Sequence, residues 1–591
     1  MNPGSEVPPL LARVLPNVTG IDKEFDYLVP DALRDQVRVG AMVRVPLAGR
    51  RIGGWVIALG PADVAAAVAP DRLKPIAKVS GNGPAPDVLE LARWAAHRWA
   101  GRVRPILASA SPHRAVRVVP QPHHTFGGDP VPSVVDGLDA MLAAGGGLVR
   151  RPPTSDPVPL LLQARAHGPL LVVEPSVDTA QLLAARLRAA GCSVALLPRD
   201  WAAASGGVDV VIGARAAVWG PVTGCRVIVV LDEQDEALQE ERNPTWHARD
   251  VAIERARRLG IACLLVASAP SLAGLAWAGS RVRRPSRSEE RAGWPVVDIQ
   301  DRSDEPPWVT SLLSSRLIEM LRDHDRRVVC VLNTPGRARR LACRSCRELT
   351  VCEHCASAVR QATDGMLLCD RCGTSRPAVC QACGASALTV LRPGVSRLRE
   401  ELEAAAGRPV VEVTAALPDD QPVPEADVYV GTEAVLHRVH DADVVAFLDF
   451  DAELLAPRFR ATEQAMALLV RAARLVGPRA DGGRIIVQTR LAHHDVLGAA
   501  LFADPGRLVE SERSRRRSLG FPPFAAIASL SGSGTEQYAA SLRGVPELAV
   551  LGGDERVLVR AADWATLADG LASVVRPVGS RVRVEVDPPR I

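Results

Sequence analysis

Lysine is almost absent. Of the 71 basic residues in this 591-residue chain, only Lys23, Lys74 and Lys78 are lysines, and none follows position 78. The arginine bias, with abundant Ala, Val and Gly, is what GC-rich coding produces by itself. Its chemical consequence is sharp: a site that needs a compact ammonium charge cannot lie beyond residue 78. No run approaches 18 apolar residues, so no membrane-spanning helix is expected. The start, MNPGSEVPPLLARVLP, lacks the basic stretch and apolar core of a secretory signal. The net charge is only +4, so bulk attraction to nucleic acid is weak. Local clusters such as RVRRP from Arg281 and RSRRR from Arg513, taken alone, read as solvated faces. These absences point to the cytoplasm, where disulfides are rare.

The remaining composition, 47% hydrophobic and 23% charged, is that of ordinary globular protein, and the length implies several domains. Residues 10–105 alternate short strand-like runs with Gly and Pro and end in the helical pattern DVLELARWAAHRWAG, a β-rich domain closed by a helix. Residues 106–157, rich in Pro, Gly and His, read as a linker or a shrunken winged-helix-like domain. From residue 158 the pattern becomes strand–helix–strand: GPLLVVEP, SVALLP, DVVIGA, RVIVVLD and IACLLVASA are buried-type strands. A second series, RRVVCVLN, PVVEVTA, DVYVGTEA, DVVAFLDF and GRIIVQT, repeats it. The expected fold class is therefore multidomain α/β, with parallel-sheet lobes at 158–280 and 310–490. The stretch Arg281–Trp294 joins them, and residues 520–591 form a small α+β domain.

Eight of the twelve cysteines fall within 41 residues as four C-x₂-C pairs. That spacing turns two thiolates toward one ion, and eight sulfurs make two closed tetrahedral sites. The first and second pairs are too close in sequence to fold onto one ion. The expected grouping is nested: Cys352, Cys355, Cys369 and Cys372 in one site, Cys343, Cys346, Cys380 and Cys383 in the other. Two structural Zn²⁺ ions are expected, and an iron–sulfur cluster, which also commonly uses four cysteines, is the alternative. His354 is expected at the surface. Cys192, Cys225, Cys263 and Cys330, in or beside apolar strands, are expected as buried fillers.

A zinc module set into the second of two α/β lobes narrows the class. FDYLVP, GAMVRVPLAGRRIGGWV, LKPI, VVIGARAAVWGP, VLDEQDEALQEERNPTWHARDVAIERA, ASAPSLAGL, LNTPGRARRLACRSC, ADVYVGTEAVLHR and RRRSLGFPPFAAIASL occur in order. With the cysteine spacing they resemble the PriA (primosomal protein N′) family of replication-restart helicases over nearly the whole chain. The resemblance implies two RecA-like lobes, an N-terminal domain that holds the 3′ end of a nascent strand, and primosome proteins that load the replicative helicase as partners. It places the 3′-end site at Phe25, Asp26, Tyr27 and Lys74. Aromatic faces there would stack a base, worth roughly 1–3 kcal/mol. A carboxylate would accept a hydrogen bond from a 3′-hydroxyl and repel a 3′-phosphate.

The resemblance also implies ATP and Mg²⁺, and there the chain departs from it. A phosphate-binding loop needs G-x-x-x-x-G-K-[ST]. The corresponding region reads GGGLVRRPPTSDPVPLLLQARAHG, with prolines at 152, 153, 157 and 159 and no lysine. Proline removes the N–H donors that such a loop aims at phosphate. The family's Asp-Glu-Glu-His has become Asp232-Glu233-Gln234-Asp235, and Leu475 and Pro478 stand where its arginines fall. The expectation is a nucleoid-associated protein that binds forks and recruits partners without catalytic residues of its own. An active 3′→5′ helicase with a divergent ATP site and a zinc-ribbon nucleic-acid scaffold are the alternatives.

Overall fold

Alternating apolar residues fold the first hundred residues into an antiparallel sheet. The computed structural model describes residues 9–61, 73–127, 132–305, 311–333, 340–362, 365–369, 371–391, 395–413, 421–553, 556–577 and 579–590. Strands β1 (Leu10–Pro16), β2 (Phe25–Leu28), β3 (Met42–Leu47), β4 (Arg50–Pro61) and β5 (Lys78–Gly81) lie in the order β2–β1–β4–β3–β5. One face closes over Ala12, Val14, Tyr27, Val43, Val45, Val56 and Ile76. Helices α1 (Pro86–Arg98) and α2 (Val103–Ala110) follow, and Ser111 at the end of α2 accepts the Trp55 indole N–H at 2.8 Å.

The expected strand–helix alternation then builds a parallel sheet. Its strands β6 (Gly146–Arg150), β7 (Leu170–Val173), β8 (Val194–Leu196), β9 (Val210–Gly213), β10 (Val227–Leu231) and β11 (Ala262–Ala267) run in the order β6–β11–β10–β7–β9–β8. The sheet thus begins at Gly146, ahead of residue 158, because the run Gly146–Arg150 is buried throughout. Helices α3 (Pro157–Arg165), α4 (Val177–Ala189) and α5 (Ala248–Leu259) are its main crossovers. Part of the stretch read as a linker is held to this sheet. The His123 N–H donates to the Gly207 carbonyl, and the buried Asp209 carboxylate accepts the N–H groups of Thr125 and Phe126, each at 2.9 Å. Burial alone would push Asp209 up. Its ion pair with Arg165 and these N–H donors outweigh that and hold it well below the usual carboxylate range.

The chain divides into two compact units. One comprises residues 1–148, 156–266 and 525–588, and the other 149–155, 267–524 and 589–591. The second unit has its own parallel sheet of β12 (Val296–Asp301), β13 (Val328–Val331), β16 (Val410–Val413), β17 (Val428–Gly431), β18 (Val444–Phe447) and β19 (Arg484–Thr489). These run in the order β12–β19–β18–β13–β17–β16. Between β13 and β16 the chain leaves for the cysteine module, opened by β14 (Arg340–Cys343) and closed by its antiparallel partner β15 (Leu388–Leu391). Helices α6 (Ala461–Val476), α7 (Asp495–Leu501) and α8 (Leu508–Leu519) complete the unit. The joining stretch is more ordered than its composition implies: Ser286 and Glu289 form a reciprocal capping box that starts a helix at Arg287–Ala292. The family-like stretch at 334–339 lies outside the described residues.

The C-terminal strands β20 (Ala526–Ser531), β21 (Ala549–Gly553), β22 (Arg556–Ala561) and β23 (Arg583–Val586) form an antiparallel sheet, with helix α9 (Trp564–Ser573) against it. They belong to the first unit: the Thr245 hydroxyl donates to the Val586 carbonyl at 3.0 Å. Among the described residues no helix is long and apolar enough to cross a membrane.

Candidate metal, nucleotide and DNA sites

The structure brings the cysteines together in the nested sets. The four Sγ atoms of Cys343, Cys346, Cys380 and Cys383 lie within 4.8 Å of one another, as do those of Cys352, Cys355, Cys369 and Cys372. Close pairs, Cys343–Cys383 and Cys355–Cys369, are 3.5 Å apart. A tetrahedron with metal–sulfur bonds of about 2.3 Å has edges of about 3.8 Å, so each set could hold one Zn²⁺ with no open position. Each C-x₂-C turn is closed by the N–H of the residue after its second cysteine, which donates to the carbonyl of the first cysteine at 2.9–3.0 Å. That residue is left-handed in all four turns: Arg347 (φ 68°), Ala356 (φ 55°), Gly373 (φ 75°) and Gly384 (φ 74°). Glycine adopts this conformation without strain; arginine and alanine do not. Ala356→Gly should therefore stabilise the protein by up to about 1 kcal/mol, read as a higher urea midpoint at unchanged slope.

The two sets differ in setting. Cys352, Cys355 and Cys369 are buried with Leu341, Val359 and Leu367, while Cys346 and Cys383 are exposed. His354 is exposed, as expected. The module docks on its own lobe through backbone carbonyls. The Ala358 N–H donates to Leu455 at 2.7 Å, and the buried Arg371, a residue no sequence motif marks, donates to Phe459 at 3.1 Å. Of the other cysteines, Cys192, Cys263 and Cys330 are buried and Cys225 is half-buried.

The acidic turn after β10 begins with Asp232 at φ 48°. Glu233 is fully buried and paired with Arg249 at 3.3 Å; Arg249, 4% exposed, also holds Asp250 at 2.8 Å. Burial alone would discharge Arg249, but Asp250 and Glu233 outweigh it and raise its pKa. A glutamate held this way has its charge matched by a guanidinium at the first turn of α5.

The region where a phosphate loop would stand has other occupants. At the start of α3, the Asp156 carboxylate accepts the Val158 N–H at 3.1 Å and pairs with Arg186 at 2.8 Å. Pro157 and Pro159 have no N–H to offer. The first turn of α3 is thus capped by a carboxylate. In the second unit, residues 149–155 are tied down. Buried Arg150 pairs with buried Glu290 at 2.7 Å, and Pro152 packs so closely on Gly293 that a Cβ there would meet it at 2.3 Å. The Pro153 carbonyl accepts from Arg474 at 3.1 Å, and the Thr154 hydroxyl donates to the Gly293 carbonyl at 3.1 Å.

In the N-terminal domain, strand alternation separates the residues assigned to the 3′ end. Phe25 and Tyr27 share the face toward the core, and Tyr27 is 4% exposed with its hydroxyl donating to the Pro46 carbonyl at 3.3 Å. Tyr27 therefore offers no open ring face, which corrects the stacking role given to it; Phe25 is half-buried. Asp26 points the other way and is paired in fork-to-fork fashion with Arg13, at 2.9 and 3.2 Å. Lys74 is exposed, and its carbonyl accepts the Leu28 N–H at 3.0 Å, which sets it beside β2. Arg13 was not legible as a partner, since nothing in sequence pairs β1 with β2.

Two RecA-like parallel sheets, an eight-cysteine module inserted in the second, and an antiparallel N-terminal domain define a multidomain α/β protein class. The family model of the PriA 3′ DNA-binding domain matches residues 13–112. The probable replication restart protein PriA of Mycobacterium leprae is 28% identical over 584 residues, covering 88% of this chain and 86% of that one. That of Mycobacterium tuberculosis is 29% identical over 580 residues, covering 87% and 85%. The replication restart protein PriA of Bacillus subtilis is 26% identical over 54% of this chain and 43% of its own. The chain is thus similar to PriA replication restart proteins over most of its length, and residues 13–112 match their 3′ DNA-binding domain.

Proposed function

We propose that this protein recognises stalled replication forks, binds the nascent 3′ end and promotes primosome assembly and replicative helicase loading, without driving unwinding by its own ATP hydrolysis. Similarity to PriA proteins and the match to their 3′ DNA-binding domain support replication restart through DNA binding. The observation that supports the ATP-independent reading is the start of α3, where Asp156 takes the Val158 N–H and Pro157 and Pro159 have none to offer a phosphate. Two structural Zn²⁺ ions close the Cys₄ sets. The protein acts in the cytoplasm, at the nucleoid. The terminal 3′-hydroxyl donates to Asp26, which Arg13 holds in place; Phe25 offers the stacking edge and Lys74 meets the backbone.

The test uses purified protein and forks ending in 3′-hydroxyl or 3′-phosphate. Expected are tighter binding of the hydroxyl fork and loss of that preference in Asp26→Ala. Losing one charge-assisted hydrogen bond corresponds to about 1.5–3 kcal/mol, or about 10–150-fold. No DNA-stimulated ATP hydrolysis above that of Glu233→Gln is expected. Robust hydrolysis abolished by that substitution would establish the divergent helicase instead. Equal affinity for forks and random duplex at physiological salt would establish the scaffold.

A further inference from the structure

The outer face of the N-terminal sheet carries cations that no site described above uses. In register, Arg44 on β3 stands opposite Lys78 on β5 and Gly53 on β4, and Pro46 stands opposite Arg51. Directly paired residues share a face, and so do residues two apart along a strand. Arg44, Lys78 and Arg51 therefore lie on one face, the one turned away from Val43, Val45 and Val56. All three are exposed, and none has an acidic partner among the described residues. Like charges directly opposite on neighbouring strands destabilise a sheet, so Arg44 beside Lys78 is unfavourable until an anion lies across them.

The ground between the cations is open. At Gly53 an added Cβ would meet only Arg44 Nη1, at 4.0 Å. Further along the same face, Trp55 is covered, which bounds the open part. The chain also links this patch to the 3′-end residues. From Lys74, whose carbonyl bonds to β2, it runs to Lys78, whose neighbour Ala77 donates to the Arg44 carbonyl at 2.9 Å. Four residues span at most roughly 13 Å, at about 3.3 Å each. Along a duplex axis that is about four base steps of about 3.4 Å.

We propose that Arg44, Arg51 and Lys78 form a phosphate-binding tract for the duplex about four base pairs behind the 3′ end. The inference deepens the fork-binding reading and rests on it. Phosphate contacts position a duplex without reading its sequence. An open shelf flanked by unpaired cations suits that role, because it has no walls to read base edges and it meets a backbone of regular negative charge. Lysine at two of the positions concerned, Lys74 and Lys78, in a chain with only three lysines, places compact point charges where phosphates would pass.

The test is fork binding by fluorescence anisotropy across a range of salt concentrations, with the full chain. Each phosphate contact contributes a slope of about −0.9 to log K against log salt on duplex DNA. R44Q/K78Q should reduce the slope by about two, and R51Q by about one, equally for unrelated sequences. Both variants should keep the wild-type preference for a 3′-hydroxyl end. Removing the opposed charges should leave the melting temperature equal or higher, so unfolding would not mimic the effect. Unchanged slopes in both variants would overturn the tract. A wild type with no end preference whose slope still falls in the variants would remove the 3′-end site and leave the tract standing. Loss of end preference with unchanged slope would assign these residues to the end site and overturn the tract.

Discussion

Cys369→Ser is expected to remove one zinc equivalent and unfold the centre of the cysteine module. Cys369 is fully buried, packed with Leu341, Val359, Leu367, Cys352 and Cys355. That cluster is far too small to fold alone, so its order depends on the metal. A structural Zn²⁺ of this kind supplies about 10–16 kcal/mol of coupled folding energy, more than most domains have in total. Serine is a poor ligand in a thiolate set, and the three remaining cysteines would sit in an apolar setting. Elemental analysis should fall from two zincs per chain to one, and limited proteolysis should open new cuts between residues 340 and 391. Cys383→Ser, at the exposed position of the outer set, should cost a zinc with fewer new cuts. Full zinc retention in Cys369→Ser would exclude the metal assignment.

Arg249→Ala is expected to destabilise the first unit by about 3–5 kcal/mol, the cost of breaking a buried ion pair by removing one partner. The substitution takes a cation from the fully buried Glu233 and removes the one that holds Asp250 well below the usual carboxylate range against the pull of its own burial. Urea unfolding followed by near-ultraviolet fluorescence measures the loss directly. The sign with pH follows from the same pair. Asp250 has a depressed folded-state pKa, so its contribution is present above the unfolded value near 3.9 and disappears as pH falls through the folded one. The difference between wild type and Arg249→Ala should therefore shrink under strong acid. A stability change below about 0.5 kcal/mol at neutral pH would mean that the acidic turn is held by other contacts.

Much of this was legible in the sequence, and the exceptions share a cause. The cysteine grouping followed from spacing alone, because a short gap cannot close on one ion and a longer one can. The parallel sheets followed from apolar runs separated by amphipathic stretches. The departure from a phosphate-loop sequence was legible in the prolines, whose lack of an N–H is a local property. Partnerships across long sequence gaps were not legible. Glu233 and Arg249 meet because β10 and α5 pack, and Asp26 meets Arg13 because β1 and β2 pair. The His- and Pro-rich strap near residue 123 read as a linker because its hydrogen bonds go to a carboxylate, Asp209, that looks unremarkable in its own strand. Tyr27 is a different case. Period-two alternation already separates Phe25 and Tyr27 from Asp26, and the resemblance to a family motif obscured it.

The distribution of lysine has a practical side. Lys23, Lys74 and Lys78 are all exposed, and all lie in the N-terminal domain. Amine-directed reagents will therefore modify that domain and the α-amine while leaving both parallel-sheet lobes, the cysteine module and the C-terminal sheet untouched. A fluorophore or surface tether attached by such chemistry will sit on the DNA-facing part of the molecule. On the fork-binding reading such a label would block binding at its handle, so labels for binding work belong on engineered cysteines instead.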